Sequence, residues 1–164
     1  LPQTLEELNT IRDECKAMVT RRAGLSAGAV VIPIPGIDIG ADVSLLMEMI
    51  PAINEKFGLS PQQIDQLPLQ LKKITVVAIT SVGSEMVGKM VTKHVLLQIL
   101  KKVGVRVTSK AFVRFIPILG QTVAAGVSFG AMKMVGNAHV EDCYKVVSDT
   151  LIAVKQLPNG QVDA

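Results

Sequence analysis

Leu69-Gln70-Leu71-Lys72-Lys73-Ile74-Thr75-Val76-Val77-Ala78-Ile79-Thr80-Ser81 is the stretch on which the fold turns. From Ile74 to Thr80 it is rich in β-branched side chains, which suit a strand. A strand there would lead into Gly83-Ser84-Glu85-Met86-Val87-Gly88-Lys89-Met90, which has the spacing of a phosphate-binding loop. The chain would then be a nucleotide-binding α/β protein. A strand needs a neighbour, however, and no other segment supplies one. The loop chemistry also fails. Met90 stands where a hydroxyl must ligate magnesium, Thr92 comes two residues too late, and Glu85 puts a negative charge where anions would bind. The run therefore predicts a buried helix over about 69–81, and nucleotide binding at 83–90 ranks as a second alternative.

Working outward, helix signals dominate. Upstream, Thr4 and Glu7 form a capping box, and Leu5, Leu8, Ile11, Cys15, Met18 and Val19 recur at helical spacing. They predict an amphipathic N-terminal helix within 1–22. From Ala23 to Ile37 there is no charge, and the run closes in Ile32-Pro33-Ile34-Pro35-Gly36, an apolar elbow that no helix can continue through. Asp38 caps a helix over about 39–57, which Gly58 stops. Ser60, Pro61 and Gln63 open a short helix that ends at Pro68.

Downstream, helices are expected over about 84–103 and from Ser109 to Phe115. Ile116-Pro117-Ile118-Leu119-Gly120 then repeats the Ile-Pro-Ile…Gly pattern of the first elbow. Two more helices are expected over 121–135 and 138–157, with 158–164 as a frayed tail. The expected fold is a single all-α domain over residues 1–164. It is a compact bundle of about six to eight helices, with the elbows at Pro33, Pro35, Gly36, Pro117 and Gly120 in its centre.

Composition narrows the function. Hydrophobic residues make up 49%, but Trp is absent and aromatics are 3%, so the base-stacking platforms of nucleic-acid binders are missing. Cys15, Cys143, His94 and His139 are too scattered to predict a metal site or a disulfide framework. With no signal peptide, a cytoplasmic setting is expected, with peripheral membrane contact. His139 and Cys143 lie four apart on one helix and can meet, yet no oxyanion site accompanies them. No catalytic residue, cofactor or metal is expected, and the chain is expected not to be an enzyme. Between Lys72 and Arg114 stand nine basic residues and one acid. Lys89, Lys93, Lys101, Lys102, Arg106 and Lys110 are the candidate contacts to an anionic membrane or an acidic partner. Neither apolar segment reads as a span: Ala23 to Ile37 is too short, and Phe115 to Met132 carries Pro, Gly and polar residues.

Val31-Ile32-Pro33-Ile34-Pro35-Gly36-Ile37, Ala41-Asp42-Val43 and Phe57-Gly58-Leu59-Ser60 resemble the helical domain that follows the GTPase domain in immunity-related, interferon-inducible GTPases. Ile116-Pro117-Ile118-Leu119-Gly120, Ala124-Ala125-Gly126-Val127-Ser128-Phe129 and Glu141-Asp142 resemble the end of that domain. A bacterial family of GTPase-associated helical domains shares both elbows. The resemblance implies a non-catalytic interaction domain that docks onto a GTPase or effector domain in cis or in trans and sits on membranes. It is also compatible with homo-oligomer formation. No GTPase residue carries over, because the nucleotide-holding motifs are missing. The alternative from another class is a membrane-inserting or pore-forming module of a secreted effector.

Overall fold

The computed structural model describes the backbone of residues 1–29, 37–100 and 120–157, and the side chains of 1–24, 43–100 and 129–157. Every regular element among the described residues is a helix, as expected. They are α1 (Leu5–Ala29), α2 (Ile37–Lys56), α3 (Pro61–Asp65), α4 (Leu69–Val82), α5 (93–100) and α6 (Gly120–Lys155). The helix expected from Ser109 to Phe115 lies outside the described residues. One expectation is corrected: the two helices expected over 121–135 and 138–157 are one helix of 36 residues. Gly136-Asn137 looks like a stop signal. Instead Gly136 is a packing position, where an added Cβ would lie 2.7 Å from Val19 Cγ1 and 2.9 Å from Met49 Cε. Of the elbows, Pro33, Pro35, Gly36 and Pro117 lie outside the described residues, while Gly120 is the first residue of α6.

The local signals act as read at several ends. Glu7 N–H donates to Thr4 Oγ1 at 3.1 Å, and the Glu7 carboxylate accepts from Gln3 N–H at 2.9 Å. Ser60 and Gln63 close a reciprocal capping box with Pro61 in the first turn of α3. Gly58 has φ +72°, the left-handed conformation expected after α2. Its bare Cα lets the N-terminal segment settle on it, since a Cβ would stand 2.8 Å from the Leu1 nitrogen.

The chain forms two compact units. The first holds Leu1–Cys15, Ile50–Met90 and α6 from Ala138. Its core joins Leu8 and Cys15 of α1, Ile50 and Ile53 of α2, Phe57 just after α2, and Val140, Cys143 and Val147 of α6, all fully buried. Burying each large aliphatic or aromatic side chain is worth roughly 1.5–3 kcal/mol. Arg12 clamps this unit's first and last helices with two short bonds of 2.7 Å to the Glu141 carboxylate, and its guanidinium lies 4.8 Å from the Tyr144 ring centre. The second unit draws on the rest of α1 and α2, on α5, and on α6 up to Asn137. Val19, Ala23, Leu46, Met49, Leu96, Met132 and Val135 are buried in it.

Candidate interaction surface

The α4 helix departs most from expectation. Its sequence predicts burial, yet only Thr75 and Ala78 are buried. Those two, with Leu71, recur at four- and three-residue steps and form the inner face. The outer face carries Leu69, Val76 and Val77, and Val77 is 68% exposed. A run that is apolar all round does not reveal which side meets the core. The β-branched threonines fit the helix because their hydroxyls donate back to carbonyls one turn earlier: Thr75 to Leu71 and Thr80 to Val76, both at 2.8 Å.

Beside this face lies a groove of about 340 Å³. Ile74, Val77, Ala78 and Lys73 of α4 form one wall, and Ala153 and Asp149 of α6 the other. Asp149 accepts from Lys145 at 2.8 Å, so the acid on that wall is already neutralised. Ile152, also on α6, is half exposed.

After α4 the chain turns instead of continuing as the helix expected over 84–103; helix resumes only at 93. Two glycines impose the turn. Gly83 ends α4 with φ +69°, its N–H reaching the carbonyls of Ile79 and Thr80. Gly88 has φ +68°, and a Cβ there would collide with the Cδ1 atoms of Ile64 and Ile79 at 2.9 Å. Met86 and Val87 are buried between them. This geometry differs from a strand-fed phosphate loop: what precedes Gly83 is a helix, and the Lys89 ammonium donates to the Ser84 carbonyl at 3.2 Å, inside the loop itself. Met90, the next residue, is 86% exposed.

Of the six cations singled out, Lys89 and Lys93 are exposed. Lys101, Lys102, Arg106 and Lys110 lie outside the described residues, so their clustering is a property of the sequence alone.

A buried polar cluster links α2 to α6. His139 Nε2 lies 3.6 Å from Cys143 Sγ, the meeting foreseen from their spacing. Cys143 also donates to Asn54 Oδ1 at 3.5 Å, and Asn54 Nδ2 donates to the Met86 carbonyl at 3.0 Å. Cysteine, histidine and asparagine together suggest a nucleophile with its base, but the environment opposes that role. Burial first, then nearby Asp142 and Cys15, push the Cys143 thiol well above its ordinary value, so it stays protonated. Burial lowers His139 to about 4, which the Ile50 backbone only partly offsets, so the ring is neutral. Its Nδ1 makes no hydrogen bond of good geometry. The cluster ties the 83–92 turn to the helices; it does not present a reactive sulfur. No sequence signal pointed to Asn54, which reads as an ordinary polar position late in α2.

Among the described residues, no three His, Cys, Asp or Glu side chains come together as a metal site, and no helix is long and apolar enough to cross a membrane.

Comparison with known proteins finds similar chains, two of which share a name. Over 130 residues the chain is 28% identical to interferon-inducible GTPase 5 of Rattus norvegicus and 27% identical to the protein of the same name in Bos taurus. Each match takes in 79% of this chain and 28% of the relative, so the chain spans little more than a quarter of either. No family model matches the chain. No solved structure matches significantly.

Proposed function

We propose that the chain is a non-catalytic interaction domain that docks onto a GTPase domain through the outer face of α4, and that its basic stretch holds it against anionic membrane. The carrying observation is Val77, 68% exposed beside Leu69 and Val76 on a helix whose other side is already committed to the core. Large aliphatic side chains gathered on one helix face mark a surface awaiting a partner. The relatives supply the partner's class: they are named as GTPases, and nearly three quarters of their length lies outside the match. Lys73 at the rim of the groove suits an acidic residue opposite it.

The test mixes the chain with the unmatched region of the rat relative, expressed separately, and follows amide exchange along α4. Protection of 69–82 that Val77→Asp abolishes, with the fold of the variant intact, is the expected result. Absence of protection refutes docking through this face. If the occupant is instead a second copy, sedimentation shows a dimer that Val77→Asp converts to monomer. The membrane half is tested by vesicle flotation. Recovery with anionic vesicles should exceed that with neutral ones and should fall on charge reversal at Lys101 and Lys102. Equal recovery removes the lipid claim.

A further inference from the structure

A second cavity, which shares no lining residue with the docking groove, has no role in that reading. It measures about 420 Å³ and is bounded by the N-terminal segment, the α3–α4 turn, α4 and the last turns of α6. Pro2, Leu67, Leu71, Val147, Leu151 and Val154 give it an aliphatic wall. Among the described residues, no charged and no aromatic side chain lines it. Thr150 is among its few polar groups, and its hydroxyl is already engaged by the Val146 carbonyl at 2.8 Å.

The wall is built rather than loosely draped. Pro2 is buried, and the segment rests on the bare Cα of Gly58. Gln3 N–H is held by the Glu7 carboxylate at 2.9 Å. The cavity is partly open to solvent, and its apolar side chains gain dispersion contacts when an apolar occupant displaces that solvent.

We propose that this cavity binds a single medium-length alkyl or acyl chain. The volume of about 420 Å³ is large enough for a chain of medium length. The chemistry selects the class. With no charged side chain in its wall among the described residues, the site disfavours phosphates and free carboxylates in its interior, so an ionic head stays at the mouth. The absence of aromatic walls removes the stacking that planar ligands use.

The experiment titrates the full chain with monomeric dodecanoate and, separately, with a dodecanoyl lysophosphatidylcholine, both below their micelle thresholds, by calorimetry. Saturable binding with one chain per protein is expected. Binding of both probes makes a membrane lipid an acceptable source. Binding of dodecanoate alone restricts the site to free acids, and either result supports the proposal. Val154→Phe should fill the cavity and weaken binding at least tenfold while the helical circular dichroism stays unchanged; Leu151→Phe serves if Val154→Phe fails to fold. Val77→Asp, facing the other groove, should leave chain binding unaltered, which keeps this site distinct from docking. Two outcomes overturn the proposal: no saturable binding of either probe, or equal binding by the filled variant.

Discussion

Two glycines of α6 provide opposite outcomes from the same substitution. In a helix interior, Gly→Ala stabilises by about 0.5–1 kcal/mol, because alanine loses less backbone freedom on folding. At Gly130 a new Cβ meets nothing within 4 Å, so Gly130→Ala should realise that gain. At Gly136 the same Cβ would stand 2.7 and 2.9 Å from the two γ-carbons of Val19, and 2.9 Å from Met49 Cε. The Met49 methyl can swing away at little cost. Val19 cannot, because a β-branched side chain in a helix has essentially one rotamer. Overpacking of this kind costs about 1–3 kcal/mol. Set against the helical gain, Gly136→Ala should lose about 1 kcal/mol net. Urea unfolding followed by circular dichroism reads both. With a slope of about 2 kcal/mol per molar, the Gly130→Ala midpoint should rise by roughly 0.4 M and that of Gly136→Ala fall by roughly 0.5 M. A second substitution locates the cause: Val19→Ala should abolish the Gly136→Ala penalty, a coupling of about 1 kcal/mol or more in the double-mutant cycle. If Gly136→Ala proves as stabilising as Gly130→Ala, or the cycle shows no coupling, the close approach of α6 to Val19 is wrong.

Two further outcomes follow from the buried cluster. His139 has a folded pKa of about 4 against an ordinary 6.5, so its contribution is complete above pH 6.5 and is lost as the pH falls toward 4. Stability should therefore drop by about 2 kcal/mol between pH 7 and pH 5, and His139→Leu should flatten that part of the profile in urea titrations at several pH values. Asn54→Ala removes the donor from the buried Met86 carbonyl, and Asn54→Asp replaces that donor with an acceptor. Each should cost about 2 kcal/mol and raise amide exchange across the 83–90 turn; a loss below about 0.5 kcal/mol would mean the cluster does not hold the turn.

The helical class was legible because its signals are local. Ser60-Pro61-Gln62-Gln63 can be read as a cap without knowing anything distant, and so can Gly58. The failures come where a residue's role is set from outside its own segment. Gly136 looks like a terminator until Val19 is seen against it. Gly88 breaks the helix expected over 84–103 because Ile64 and Ile79 leave no room for a side chain, which no spacing rule encodes. The burial of α4 was misjudged for the complementary reason: its apolar residues surround the axis, so periodicity carries no direction. The candidate site divides likewise. The meeting of His139 with Cys143 follows from helical spacing, while Asn54 and the N-terminal cavity need the folded chain.

The turn between α4 and α5 bears on how such chains are catalogued. Gly83 finishes one helix, Gly88 yields to two isoleucines, and Lys89 ties off a stray carbonyl. Three unrelated steric and hydrogen-bonding demands thus spell out the lettering of a nucleotide cradle. Helical proteins must meet these demands often, since left-handed glycines and carbonyl-seeking lysines are routine at helix ends. Pattern scans over such proteins will accumulate counterfeits of this kind, and the secondary structure just upstream of the first glycine is the quickest way to discard them.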